Sequence, residues 1–199
     1  MYQFIESICY DEGKFQRLKL HNERFNLTRY HFFGTVRDIQ LESFLEIPKQ
    51  LRENTVKCRI VYGAEIESIS YHIYEIKPVR SLQFVIDDTI DYAFKYADRN
   101  YLDLLLKNRG QSDDILIVKN GLITDSSYAN IVFLQNNRWY SPLNPLLKGT
   151  RIKDYMSKGH VTPALLRPED LHRFSEARLI NSMISIKKSP VILIENIKY

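Results

Sequence analysis

The chain has 199 residues, 44% of them apolar and 26% charged. That is the make-up of a folded globular protein with one large core or two small ones, and it excludes a disordered or fibrous chain. The net charge of +4 comes without a Lys/Arg block, an RNP-like aromatic pattern or a basic helix, which favours a solvated surface over a nucleic-acid footprint and leaves open a basic pocket for a small anion.

The first apolar run, residues 3 to 10, predicts a strand, with Asp11-Glu12-Gly13 as its turn and residues 15 to 20 as its partner. Leu20, Arg24, Leu27, Tyr30 and His31 recur at helical spacing, and Gly34 is a natural C-cap. A second helix is expected over residues 38 to 53, around Ile39, Phe44, Leu45 and Leu51. VKCRIVYG and IESISYHIYEI alternate as two strands of a hairpin through Gly63-Ala64-Glu65, and LQFVI at 82 to 86 is a further strand. The polar stretch DDTID, 87 to 91, suits a domain boundary, giving a smaller N-terminal α+β domain over 1–88 and a larger strand-rich one over 89–199.

Beyond it a helix is expected from about Asp98 to Asn108, ended by Gly110. DILIVKNGLITDSSYANIVFLQNNRWYS reads as a meander, with Asn120-Gly121 a strong hairpin turn and Gln135-Asn136-Asn137 a weaker one. Thr150 to Lys158 predicts a short helix closed by Gly159, PEDLHRF starts another with Pro168 near its first position, and ARLINSMISI and PVILIENI read as strands. The fold class is α+β.

Cys9 and Cys58 match no metal or redox spacing and read as buried thiols in a reducing compartment. The five histidines are scattered without a ligand pattern, so no metal is expected. No apolar run approaches bilayer length, and MYQFIESICYDEGK lacks the basic-then-apolar order of a secretion signal. These features predict a cytoplasmic protein with no nucleic acid or membrane as partner; a small-molecule substrate stays open at this point.

Lys95 stands between Phe94 and Tyr96, just before an expected helix. Partly apolar surroundings disfavour the ammonium form and leave a nucleophilic amine. Taken alone, Lys95 is a surface lysine, Arg24 a solvated helix residue, Asp125 a turn or cap residue, and Gly149-Thr150 a plain helix start. Their order along the chain says more. HNERF (21–25), FKYADR (94–99), ITDSSYANIVF (123–133), LLKGTR (146–151) and LINSM (179–183) form a series that resembles the class IV aminotransferases. These are fold-type IV pyridoxal phosphate enzymes and include branched-chain and D-amino-acid aminotransferases and 4-amino-4-deoxychorismate lyase. The resemblance covers nearly the whole chain and rests on the ordered set more than on any single motif.

The resemblance implies a two-domain, D-amino-acid aminotransferase-like α+β fold with the active site at the domain boundary, shortened at the N-terminus because the chain opens almost at the FIESI strand. It implies pyridoxal 5′-phosphate as cofactor and a homodimer. Lys95 would condense with the cofactor aldehyde and shuttle the substrate proton. Arg24, in the H-x-x-R motif, would reach the phosphate, with Gly149, Thr150 and Ser182 completing its cup. Asp125 stands where the family usually carries glutamate, and would pair with the pyridine nitrogen from one methylene further away. Ser126, Ser127 and Asn130 would line the cofactor loop.

Within the family, Arg99 four residues after Lys95, Asn181-Ser182-Met183 in the late motif, and Ser7 near a threonine of the lyases lean towards 4-amino-4-deoxychorismate lyase. That reaction releases pyruvate and forms 4-aminobenzoate, a folate precursor. Its dianionic substrate would suit Arg99, Lys148 or Arg151 on charge. A branched-chain or D-amino-acid aminotransferase is the alternative, and a degenerate, non-catalytic family member is a further one, favoured by Asp125 and the short termini.

Overall fold

The structure is a computed structural model that describes residues 2–34 and 37–199. The chain forms two compact units: residues 1–75 with 94–98, and 76–93 with 99–199. The division read at 88/89 does not coincide with them. The strand over Leu82–Ile86 pairs in parallel with Asp114–Lys119 of the second unit, so the polar DDTID stretch lies inside that unit. Residues 94–98 return to the first, where Phe4 bridges Tyr96.

The first unit is a four-stranded antiparallel sheet in the order β2-β1-β3-β4, made of β1 (Phe4–Asp11), β2 (Lys14–Phe15), β3 (Val56–Tyr62) and β4 (Ile66–Ile73), with helix α1 (Leu18–Phe33) against one face. Alternation sends Phe4, Ile8, Cys58, Ile60 and Tyr62 to the helix face, where they pack with Phe25. The expected partner strand over 15 to 20 shrinks to β2, because Arg17 adopts a left-handed conformation (φ 54°) and α1 begins at Leu18. Gly34 ends α1 at φ 80°, its N–H donating to the Tyr30 carbonyl.

The buried face of α1 is not the stripe read from spacing. Leu27 and Tyr30 are exposed, whereas His21, Asn22, Thr28 and Arg29 are buried beside Phe25. Each buried polar group has a partner. Arg29, for example, donates to the carbonyls of Ala64 and Arg37 and to Asn26 Oδ1, as burial of a charge requires.

The helix expected over 38–53 does not form. Two 3₁₀ turns stand there, Leu41–Ser43 and Lys49–Leu51. Pro48 would break a helix, and the amides of Ile39 and Leu41 donate to the Asn26 and Asn22 side chains of α1. Those bonds hold the segment extended.

The second unit contains a nine-stranded mixed sheet built from β5 (Leu82–Ile86), β6 (Asp114–Lys119), β7 (Leu122–Ser126), β8 (Asn130–Gln135), β9 (Arg138–Pro142), β10 (Val161–Ala164), β11 (Glu176–Ile180), β12 (Ile192–Leu193) and β13 (Ile197–Lys198). The main path runs β10-β9-β8-β7-β6-β5-β13, and β11 pairs with β8 and β12. Its helices are α2 (Asn100–Leu106) and α3 (Thr150–Ser157). The meander follows the sequence. Asn120 and Gly121 both take positive φ, and so do Asn136 and Asn137, so the weaker turn signal makes the same kind of turn. PEDLHRF forms a 3₁₀ helix (Pro168–Arg173), and PVILIENI breaks into two two-residue strands around a 3₁₀ turn. The main core of this unit gathers Leu82, Leu116, Ile131, Phe133, Ala177 and Ile192.

Candidate active site

In the first unit, residues 94–97 lie along the start of β1. The Ile5 N–H donates to the Lys95 carbonyl at 2.9 Å, and the Ala97 N–H to the Gln3 carbonyl at 2.9 Å. Phe94 and Tyr96 both turn to the α1 side: their rings stack within an aromatic cluster with Phe4 and Phe32, Tyr96 5.3 Å from Phe4 and Phe94 4.8 Å from Phe32. The Tyr96 N–H donates to the Phe94 carbonyl at 3.0 Å, a tight turn with Lys95 at its apex, between two side chains that point the same way. The two aromatic residues therefore anchor the backbone and send the half-buried Lys95 to the opposite face, which also carries Ser7.

On the α1 face, Glu6 is fully buried. Its Oε1 accepts from Arg24 Nε at 2.8 Å and its Oε2 from Arg24 Nη2 at 2.6 Å, a two-pronged clamp. His21 Nδ1 lies 2.6 Å from the same Oε2. The carboxylate only accepts, so this nitrogen carries the proton. Burial alone would raise the Glu6 pKa, but Arg24 and His21 more than offset it and hold the group at about 2. Burial lowers the His21 pKa, so the ring is neutral near pH 7.

In the second unit, Asp125 is buried at the end of β7. Its Oδ1 accepts from Asn130 Nδ2 at 2.8 Å and its Oδ2 from the Leu147 N–H at 3.0 Å, while Asn130 Nδ2 also donates to the Leu147 carbonyl at 2.8 Å. Asp125 and Asn130 face each other across the β7–β8 junction. Between them, the Ser126 N–H donates to the Ala129 carbonyl, and the buried Ser126 Oγ accepts from the Ala129 amide. Arg99 Nη2 donates to the Ser127 carbonyl at 2.8 Å and so holds this loop from α2.

Gly149 precedes α3, and a Cβ there would stand 2.4 Å from Asn130 Oδ1. The close approach, not the ordinary backbone angle of φ −61°, is what calls for glycine. The first turn of α3 has no side-chain cap, and its first residue, Thr150, is buried. Uncapped amides at a helix start favour an anion. Arg151 donates Nε to the Asn181 carbonyl at 2.6 Å and Nη2 to the Ser182 carbonyl at 2.9 Å, tying the 181–183 turn to α3. Asn181 Oδ1 shapes that turn by accepting from the Met183 and Ile184 amides. Lys148 is exposed.

The family described as Amino-transferase class IV matches residues 93–188. A protein of Haemophilus somnus, provisionally named a 4-amino-4-deoxychorismate lyase, is 30% identical with a TM-score of 0.85, over 92% of this chain and 97% of that one. The chain belongs to the class IV aminotransferase family. A Haemophilus influenzae protein of uncharacterised function is 37% identical over 185 residues, 92% of this chain and 98% of that one. A Mycobacterium tuberculosis hypothetical aminotransferase in its PLP-bound form is 14% identical with a TM-score of 0.70, over 96% of this chain and 80% of that one; it shares the fold. As a class IV aminotransferase, the protein is a pyridoxal phosphate-dependent enzyme acting on small molecules. No helix among the described residues is long and apolar enough to cross a membrane.

In the second unit, the Gly149-Thr150 start of α3, with the Ser182 turn fastened beside it, has the donor chemistry that the cofactor's phosphate takes. Sequence reasoning alone does not single out Glu6. Glu6 carried a signal there, as one acidic residue on the apolar phase of a strand, between Phe4 and Ile8.

Proposed function

We propose that the protein is a lyase that converts 4-amino-4-deoxychorismate to 4-aminobenzoate and pyruvate, in folate biosynthesis. The observation that carries this reading is the 30% identity, across 92% of the chain, to the Haemophilus somnus protein provisionally named for that activity. The Asn181-Ser182-Met183 turn supports it from the sequence.

On this reading Lys95 takes the proton from the ring carbon that bears the substrate's amine. The electron pair of that bond expels pyruvate, as its enolate, from the neighbouring ring carbon, and the ring becomes aromatic. The proton on Lys95 then returns to the enolate, so the atoms balance without an oxidant or second substrate. Bound pyridoxal phosphate supplies the electron sink that makes the proton acidic. Arg24, Gly149, Thr150 and Ser182 hold its phosphate, and Asp125, oriented by Asn130, serves its pyridine nitrogen. Ser126 and Ser127 shape the loop beside it. The enzyme works as a homodimer in the cytoplasm, a compartment suited to the buried thiols of Cys9 and Cys58, neither of them in a disulfide.

The test is to incubate the purified, cofactor-loaded protein with 4-amino-4-deoxychorismate and no keto acid. Stoichiometric pyruvate and 4-aminobenzoate are expected. Amino-group exchange that needs a keto-acid acceptor would make the protein an aminotransferase and sink the lyase reading.

A further inference from the structure

The sheet of the first unit has two unlike faces. Its α1 face is apolar apart from the Glu6 cluster. The register writes the other face row by row. Ile5 pairs with Val61 and Val61 with Ser68; Ser7 pairs with Arg59 and Arg59 with Ser70; Cys9 pairs with Lys57 and Lys57 with His72. Directly paired residues share a face. Lys95, held beside Ile5 with its aromatic neighbours turned to the α1 side, belongs to this second face. Arg59 is two strand spacings across and two residues along from it, which places the two Cα atoms about 12 Å apart. Two long side chains span that gap with a small molecule between them.

An antiparallel sheet ordinarily turns such a face to water. This one differs in two ways. Ile5 and Cys9 on it are only 7% and 2% exposed, and Arg59 is half-buried. The Arg59 guanidinium also makes no side-chain hydrogen bond or ion pair among the described residues. Compare Arg24, Arg29, Arg99, Arg151 and Arg178, which donate to carboxylates or carbonyls of the chain. The half-buried Arg59 thus keeps its guanidinium donors unspent on the chain, and the planar fork matches a carboxylate. Ser7 and Ser70 flank it with hydroxyl donors, Ser70 Oγ lying 3.2 Å from His72 Nε2.

We propose that Arg59, flanked by Ser7 and Ser70, binds a carboxylate of the substrate processed at Lys95. This rests on the reading of Lys95 as the reactive lysine. It assigns substrate recognition to a residue whose side chain the fold leaves uncommitted, and it selects for substrates with a carboxylate beyond the reacting carbon.

The experiment compares cofactor-loaded wild-type protein with Arg59→Gln and Arg59→Lys. Glutamine is expected to raise KM for 4-amino-4-deoxychorismate roughly 10- to 100-fold, the range for a lost charged hydrogen bond, while kcat stays within about threefold. The cofactor absorption band should be unchanged, and lysine should recover part of the loss. Calorimetric titration with succinate reads the same site without turnover, and glutamine should weaken it at least about tenfold. Unchanged KM and unchanged succinate binding, including a wild type that binds no succinate, would overturn the proposal while leaving any lyase activity standing. A wild type without lyase activity whose succinate binding depends on Arg59 would sink the lyase reading alone. Should glutamine prevent folding, the lysine variant carries the comparison, and a KM equal to wild type would count against Arg59.

Discussion

Glu6 grips Arg24 with both carboxylate oxygens, at 2.8 and 2.6 Å, from a fully buried position on β1. The clamp fixes the guanidinium in one plane, and His21 completes it from the preceding turn of α1. One consequence is a pH-dependent stability. Glu6 titrates near 2, against an ordinary 4.5, so its contribution is complete above pH 4.5 and lost as pH falls towards 2. That gap corresponds to about 3 kcal/mol. His21 acts in the same direction. Its lowered pKa means that the unfolded chain takes up the proton first, so stability declines as pH drops below 6.5. Glu6→Gln leaves Arg24 without its counter-charge and should cost about 3–5 kcal/mol at pH 7, with a flatter decline between pH 4.5 and 2. Urea midpoints across this range measure both. Parallel declines for mutant and wild type would show that Glu6 is not the titrating group.

Lys95→Ala should abolish the near-visible absorption band of the cofactor-loaded protein and its bleaching by borohydride. Turnover should fall by at least about 10²-fold. The fold should survive, because Phe94 and Tyr96 and the backbone hydrogen bonds to β1 anchor the segment. A variant that keeps both the band and borohydride sensitivity would make Lys95 an ordinary lysine.

Much of this was legible in the sequence where structure is local. Asn120-Gly121 writes its own hairpin, and alternation in VKCRIVYG separates the two sheet faces. Non-local partners made the rest hard to read. The 38–53 segment has helical spacing, yet Asn22 and Asn26 of α1 take its backbone amides and Pro48 interrupts it. The stripe of α1 misled because the helix buries charged and polar groups whose partners, Glu6 and Ala64, lie far away in sequence. Arg99 and Arg151, chosen for their charge, both donate to chain carbonyls. Arg59, half-buried and without such a partner among the described residues, stands out only once the strands are in register.

Gly149→Ala tests how tightly α3 is set against the Asp125 loop. The new Cβ would meet Asn130 Oδ1 at 2.4 Å. Asn130 cannot simply swing away, because its Nδ2 binds both Asp125 and the Leu147 carbonyl. A loss of about 1–3 kcal/mol is expected, as for overpacking elsewhere. Pairing it with Asn130→Ala should recover part of that loss, giving a coupling of at least about 0.5 kcal/mol in a double-mutant cycle of thermal midpoints. Strict additivity would mean that the clash is relieved by backbone movement.

Asp125 separates structure from chemistry most sharply. Its two oxygens accept from Asn130 Nδ2 and the Leu147 N–H. Asparagine would turn its own donor towards one of those groups, so Asp125→Asn should destabilise the protein by about 1–3 kcal/mol. Glutamate keeps the charge and adds one methylene to a buried site, at a similar packing cost. The two substitutions should therefore look alike in unfolding. They should differ in turnover, because only a carboxylate can hold a ring nitrogen protonated. Asp125→Asn is expected to lose on the order of a hundredfold in kcat, about 3 kcal/mol of transition-state stabilisation, and to shift the cofactor's absorption maximum. Asp125→Glu should retain most of both. Equal activity in the two variants would confine Asp125 to holding the loop and the Leu147 backbone in place.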